Sequence, residues 1–352
     1  MKILGIETSC DETAAAVVED GTHILSNVVV SQIDIFAEYG GVIPEIAARS
    51  HLEAILPVIN KALKDADCTW ANIDAIAVTH APGLLGSLLI GTLTARTLAI
   101  IHNKPLYAVH HLKSHIYANW LNEKRPEKAL FPILAVVISG GHTQLIRMTR
   151  HNHFEIIGTT HDDAIGECFD KIAKILGLPY PGGPAISQAA INGDPNKYTF
   201  PHPKLPEPLD FSFSGLKTAV LRAVQKECNL PISHPSFDLK NHLSKAQVAD
   251  FAASFEKTAI DILFEKLSLA LQKYPDTKSI LFAGGVSANV ALRKRFEEPK
   301  NMLSNLPIFF PEPRFSGDNG AMVASAAYFE IEDGKSPTDP YSLNIYPRTP
   351  LK

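Results

Sequence analysis

No two cysteines stand at the spacing of a zinc ribbon or a redox motif. The four present, Cys10, Cys68, Cys168 and Cys228, lie far apart, which excludes a disulfide framework and a CxxC metal site and predicts a reducing compartment. No apolar run is long enough to cross a bilayer. Met1 leads directly into the strand-like KILGIE with no leader, so a cytoplasmic location without a membrane partner is expected. Neither sign of charge dominates: 33 Lys and Arg face 37 Asp and Glu, for a net charge of -4. Any polyanion must therefore be met by a local basic patch or through partner proteins. The chain has no GxxxxGK[ST], which excludes a P-loop. It also lacks HExxH: Leu112 follows His111 where a zincin places its glutamate base, which argues against a metalloprotease.

What the chain does contain is a repeat. At 352 residues, 45% hydrophobic and 20% charged, it is a globular protein too long for one core, so two lobes are expected. In the first half MKILGIE, TAAAVVED and THILSNVVVS read as three strands, and in the second half FPILAVVISG, TQLIRMT and FEIIGTT read the same way. Each triplet precedes a helical stretch (45–66; 162–176), a buried strand (IDAIAVTHA; SILFAGG), a further helix and a last strand (PLYAVHH; PIFFPE). Three strands, helix, strand, helix, strand, helix is the order of a ribonuclease-H-like lobe. Duplicated, it predicts an α/β protein of the actin and sugar-kinase (ASKHA) type, with the active cleft between the lobes. The expected divisions are 1–108 for the first lobe, 109–331 for the second and 332–352 for an extended Pro-rich tail. Between Pro179 and Pro235 lie ten of the 25 prolines, so this stretch reads as an insertion of loops around short helices that serves either as a lid or as a solvated connector.

The strongest chemical signal is the pair His111 and His115 in AVHHLKSHIYA. Four residues apart at the start of a helix, they present two imidazoles on one face to a single metal ion. Three Gly-rich turns, Ser139-Gly140-Gly141-His142, Pro181-Gly182-Gly183 and Gly284-Gly285-Val286-Ser287-Ala288-Asn289, allow close backbone approach and expose amides to phosphate, although turn glycines are also common for purely structural reasons. Asp11, Glu12, Asp170 and Asp318 complete the candidates. Asp318 at a helix start also reads as an N-cap, Glu12 and Asp162 as turn or cap residues, and His51 and His142 as hydrogen-bonded polar residues.

Together these stretches resemble the bacterial TsaD family of tRNA adenosine threonylcarbamoyltransferases. The matching motifs run in family order along nearly the whole chain: GIETSCDET (5–13), YGGVIPEIAARSH (39–51), PGLLGSLLIG (82–91), VHHLKSH (109–115), SGGHTQLI (139–146), FDKIAKILGLPYPGGP (169–184), DFSFSGLKTA (210–219), GGVSAN (284–289) and DNGAM (318–322). Three positions depart from the usual pattern: Ser114 replaces Gly or Ala, Ala81 replaces Gly, and Ser316 replaces Cys.

The resemblance implies transfer of threonylcarbamoyl from threonylcarbamoyl-AMP to the N6 amine of the adenosine 3′ to the anticodon, in tRNAs reading codons that begin with A. It implies a divalent metal on His111, His115 and Asp318, with Fe(II) favoured and Zn(II) possible. Val137, Ile138, Ser139, Gly140, Gly141, Asp170, Gly183 and Asn289 match positions that bind the adenylate. Asp11 matches a position tied to catalysis and, with Glu12, is the candidate for organising the amine or taking its proton. The implied partners are tRNA, a TsaB-like paralogous subunit and a TsaE-like ATPase. A metal-dependent phosphotransferase of the same fold and a non-catalytic partner subunit stand as alternatives.

Overall fold

In the computed structural model, which describes residues 1–123, 125–126, 130–297 and 306–351, the apolar runs form two five-stranded sheets. The first sheet contains β1 (Lys2–Glu7), β2 (Glu12–Glu19), β3 (His23–Ser31), β4 (Ala75–Ala81) and β5 (Leu106–His110), in the order β3-β2-β1-β4-β5. The second contains β6 (Ile133–Ile138), β7 (Thr143–Arg150), β8 (His153–Thr159), β9 (Ser279–Ala283) and the two-residue β10 (Ile308–Phe309), in the order β10-β9-β6-β7-β8. Strand for strand the two orders are the same, so the repeat in the sequence is a duplicated ribonuclease-H-like topology. β1 pairs antiparallel with β2 and parallel with β4, while β6 and β10 both pair parallel with β9.

The helices are α1 (Ile33–Tyr39), α2 (Pro44–Asp65), α3 (Leu85–Ile101), α4 (His111–Tyr117), α5 (Ile165–Leu176), α6 (Gly182–Ala190), α7 (Ser214–Glu227), α8 (Lys245–Lys273), α9 (Val290–Glu297), α10 (Pro313–Ser316) and α11 (Gly320–Glu332). Two compact units result, one of Met1–Phe131, Met148–Glu155 and Pro311–Lys352, the other of Pro132–Arg147 and Ile156–Phe310. This division departs from the expected boundaries at 108/109 and 331/332. A repeat in the sequence marks where the second set of strands begins, but α4 and α11 pack against the first sheet and each other, so both belong to the first unit.

Alternation along β1 separates two faces. Leu4 and Ile6 join Ala15 and Val17 of β2 in a core with Ile55, Val58 and Ile59 of α2 and Ala95 and Ala99 of α3. Gly5 points the other way, toward α11, where an added Cβ would run into the Gly320 carbonyl oxygen. A Cβ on Gly320 would in turn lie 2.5 Å from the Ala16 backbone nitrogen. Both glycines are required because the helix backbone lies directly on the strand backbone.

In the second unit the Pro-rich insertion is more helical than expected, containing α6 and the 14-residue α7. Asp162, read as a turn or cap residue, caps this segment from outside it. Its Oδ1 accepts from the Phe213 backbone N–H at 2.8 Å and its Oδ2 from the Ser212 and Ser214 hydroxyls at 2.5 and 2.6 Å. These bonds outweigh partial burial and hold its carboxyl below the usual range. The tail beyond α11 has no regular structure and is stitched to the first unit: Thr338 N–H donates to Leu106 O at 2.7 Å and Tyr346 N–H to His80 O at 3.0 Å.

Replacing Gly320 with Ala is expected to destabilise the first unit by roughly 1–3 kcal/mol, because neither opposing backbone can yield by a rotamer change. Urea denaturation measures it, and a wild-type midpoint would contradict the backbone contact.

Candidate metal centre

The turn from β1 to β2 is held from several sides. Ser9 O accepts from the Leu84 N–H at 2.8 Å and Asp11 O from the Gln32 N–H at 3.0 Å. His51 of α2 is fully buried and satisfied: Nε2 bonds Cys10 O at 2.9 Å and Nδ1 meets the Thr13 hydroxyl at 2.8 Å. Burial lowers its pKa, so the neutral ring donates from Nε2 and accepts at Nδ1. His51 is thus the structural histidine that its sequence context suggested.

α4 continues directly from β5 and carries His111 and His115 on one buried face. Their rings meet edge-on, with centroids 4.5 Å apart. Asp318 lies opposite, just before α11. The expected N-cap role belongs instead to Asn319, whose side chain accepts from the Met322 N–H at 2.9 Å. Asp318 Oδ1 is 3.1 Å from His115 Nε2 and 3.6 Å from His111 Nε2. Donors around one divalent ion at about 2.1 Å stand roughly 3 to 3.5 Å apart, so the set fits a three-ligand metal site with open positions. His115 supplies the fit test. It is 1% exposed, its Nε2 faces Asp318 without hydrogen-bond alignment, and neither ring nitrogen has a hydrogen-bond partner. An orphaned buried imidazole beside a carboxylate is costly unless a ligand satisfies it.

Glu7, which sequence reasoning passed over, completes the support. Fully buried at the end of β1, it accepts from the Thr79 hydroxyl at 2.5 Å and the Ser9 N–H at 2.6 Å, and its Oε2 lies 3.3 Å from His111 Nδ1. Ser9 Oγ is 3.2 Å from the same nitrogen. A carboxylate behind an imidazole fixes which nitrogen faces the metal. The signal in the sequence was a lone glutamate closing an otherwise apolar strand. Burial opposes charging of His111, but Asp318 and Glu7 together outweigh it and raise its pKa to about 9.

Asp11 and Glu12 follow on the same turn, half-buried. Glu12 accepts from the Ser31 hydroxyl at 3.3 Å. Burial, then the neighbouring charges of Asp318 and Asp11, push its carboxyl well above the usual range. A cation held by Asp318 would relieve that repulsion.

All eight residues matched to adenylate binding lie in the second unit. Val137 and Ile138 end β6 with fully buried side chains, so only their backbones are available to a ligand. Ser139 O accepts from the Gly166 N–H at 3.3 Å, and Gly284, in the left-handed region at φ 88°, packs its Cα against Ile138 O. Asp170 Oδ1 accepts from the Gly182 N–H at 2.7 Å where α6 begins. A Cβ built on Gly140, Gly141 or Gly183 meets no atom within 4 Å, which leaves an open backbone surface. Asn289 caps α9 by accepting from the Leu292 N–H at 2.8 Å, and donates to Ser187 Oγ at 3.0 Å and Glu256 Oε1 at 2.8 Å. The buried Glu256, which accepts from Ser187 Oγ at 2.5 Å, was also missed; its clue was a charged residue on the apolar face of DFAASFEKTAIDIL. A separate cavity of about 490 Å³ beside β8 and α8 contains none of these residues.

The family described as tRNA N6-adenosine threonylcarbamoyltransferase, TsaD, matches residues 23–325. The chain belongs to the TsaD family. Its relatives include the tRNA N6-adenosine threonylcarbamoyltransferases of Thermomicrobium roseum, 46% identical with 95% of this chain and 93% of that protein covered, and of Dehalococcoides mccartyi, 48% identical with 99% and 98% covered. The activator of 2-hydroxyisocaproyl-CoA dehydratase from Clostridium difficile, solved with bound ADPNP, shares the fold at TM-score 0.51 and 13% identity, covering 96% of this chain and 100% of that one. The chain is thus an acyltransferase of tRNA modification on an ASKHA fold, and the phosphotransferase and partner-subunit alternatives fall away. Two of its departures from the TsaD pattern are fully buried hydroxyls bonded within their own helices, Ser114 to His110 O at 3.5 Å and Ser316 to Glu312 O at 3.3 Å.

Glu7→Gln is expected to weaken metal binding about 10- to 100-fold without unfolding the chain, since the amide keeps the volume but not the charge behind His111. Metal titration of the stripped protein measures this, and wild-type affinity would remove Glu7 from the site. Acidity gives a second check. In metal-free protein the His111 charge contributes stability that is fully present below about pH 6.5 and lost as pH rises through about 9, and the raised carboxyl of Glu12 acts in the same direction. The denaturation midpoint should fall across that window, less so in His111→Gln, while metal affinity rises by up to about tenfold per pH unit as metal displaces the proton. A pH-independent affinity would contradict the assignment.

Proposed function

We propose that His111, His115 and Asp318 hold one divalent metal ion, Fe(II) ahead of Zn(II), and that threonylcarbamoyl-AMP is the acyl donor. The observation that carries the metal is the buried His115 ring beside Asp318, with both nitrogens unpartnered. Two imidazoles and one carboxylate suit Fe(II) and also Zn(II). Such an ion would supply Lewis acidity and fixed positive charge to an acyl transfer.

The residues of the chain account for the rest of the reaction. The adenylate moiety is held by backbone groups of 137–141 and by Gly183, Asp170 and Asn289, supported by the open glycine faces there. The adenosine N6 attacks the carbamoyl carbon, the bond from that carbon to the phosphate oxygen breaks, and AMP departs with the electron pair. Adenine's amine is a weak nucleophile because its lone pair is delocalised into the ring, so its proton must be taken as the new bond forms. Asp11, with Glu12 beside it, orients that amine and takes the proton.

The setting is the cytoplasm; no helix among the described residues is long and apolar enough to cross a membrane. Its tRNA is shared with a TsaB-like subunit, and a TsaE-like ATPase serves the complex. Exposed leucines recur at Leu52 and Leu56 on α2 and at Leu85, Leu89 and Leu93 on α3. Two apolar helix faces of this kind favour a protein partner over solvent.

The test is mass spectrometry of tRNA nucleosides after incubation with the chain, its partners and threonylcarbamoyl-AMP. Wild-type protein should form the threonylcarbamoyl nucleoside. His115→Ala should lose metal and most activity, and Asp11→Asn should slow single-turnover transfer about 100-fold or more while keeping metal. Full activity in metal-free protein would overturn the metal's role, and unchanged transfer by Asp11→Asn would overturn that of Asp11.

A further inference from the structure

A second group of metal-ligating side chains stands in the second unit, outside every residue used above. His234 closes the insertion, and Asp238 and His242 follow at intervals of four, the last two on and after the short 3₁₀ turn Ser236–Asn241. His234 Nε2 lies 2.9 Å and His242 Nε2 3.1 Å from the same oxygen, Asp238 Oδ2. The two rings are nearly perpendicular, at 87°, with centroids 5.1 Å apart. We propose that His234, Asp238 and His242 form a second divalent-metal site, of the zinc class, that staples the end of the insertion.

Three observations support it. The first is convergence: both imidazole Nε2 atoms lie about 3 Å from the same Asp238 oxygen, the separation of neighbouring donors around one ion. The second is an outer set of contacts that holds the donors in place. Asn241 Nδ2 donates to Asp238 Oδ1 at 2.8 Å, which fixes the carboxylate and directs Oδ2 to the imidazoles. Gln225 of α7, 2% exposed, donates from Nε2 to Ile232 O and His234 O, both at 3.1 Å, and Arg222 Nη1 reaches Ile232 O at 2.9 Å. Leu239, fully buried in the core of this unit, anchors the turn between the two histidines. A merely solvated surface turn has no need of such bracing.

The third is chemistry. The Asp238 carboxylate faces both imidazoles through Oδ2 and the Asn241 amide through Oδ1. Two imidazoles facing one carboxylate oxygen must each donate a proton to it, or else share with it an ion that replaces both protons. Nitrogen donors disfavour Mg²⁺ and Ca²⁺ and favour Zn²⁺ and its neighbours. The side chains are 19%, 35% and 39% exposed, so water would fill the remaining positions.

The experiment uses the full chain, stripped with a chelator, reloaded with Zn(II), desalted and assayed by elemental mass spectrometry, with circular dichroism to confirm folding. Wild type should retain two zinc per chain. His234→Gln/His242→Gln and the volume-preserving Asp238→Asn should each retain one, and so should His115→Ala, which empties only the other centre. In the His115→Ala background, Zn(II) should raise the melting temperature, and that rise should vanish when His234→Gln/His242→Gln is added. Equal zinc in wild type and the His234→Gln/His242→Gln variant, or no zinc in His115→Ala, would overturn the second site and leave a hydrogen-bonded His-Asp-His network. Failure of the first centre gives a different pattern, in which His115→Ala retains as much zinc as wild type.

Discussion

The chemistry of the first unit depends on a contact between two backbones. Gly5 in β1 and Gly320 in α11 have no side chains, so the helix lies directly on the strand. Asp318 is two residues from that contact and Glu7 two residues from it on the other element. The same contact therefore places the carboxylate that faces the imidazoles and the carboxylate behind one of them. Any side chain at either glycine would move both carboxylates together, which makes the packing of α11 inseparable from the geometry of the metal residues.

That geometry concentrates charge. Glu7, Asp11, Glu12 and Asp318 lie in one unit with His111 and His115, and Asp318 stands near both imidazoles and raises the carboxyl of Glu12. Folding without a cation brings these groups together at a cost, seen as a histidine and a glutamate that both hold protons more tightly than usual. A divalent ion bound there would reverse both tendencies at once, so the protonation of the metal-free chain and an affinity for metal would be two expressions of one electrostatic arrangement.

The fold was legible because its signals are periodic and local. Short apolar runs bounded by turn residues, repeated in both halves, located ten strands to within a few residues and gave their order along the chain, and most of these strands are buried on both faces. His111 and His115 were legible from spacing, and Asp318 only through the family resemblance. Glu7, Ser9 and Glu256 were not, because their roles arise from tertiary contacts between elements far apart in sequence. The contact-defined units differ from the expected lobes for the same reason: the repeat records the order of strands, whereas α11 returns to the first sheet from the far end of the chain. Val137 and Ile138 show the converse limit, since a motif match names positions without saying whether side chain or backbone is presented.

The C-terminal tail extends this dependence to the end of the chain. His110 is the N-cap of α4, and its Nδ1 accepts from the Leu112 N–H at 3.3 Å, while its Nε2 lies 3.2 Å from Thr349 O. Burial drives its pKa down to about 4, so at neutral pH the ring carries one proton. A carbonyl oxygen can only accept, which places that proton on Nε2 and leaves Nδ1 free to cap the helix. The tail carbonyl thereby selects the tautomer that orients the first turn of α4, and His111 is the first residue of that turn. The Pro-rich segment read from the sequence as an extended tail is thus joined, through one imidazole, to the helix that carries His111 and His115.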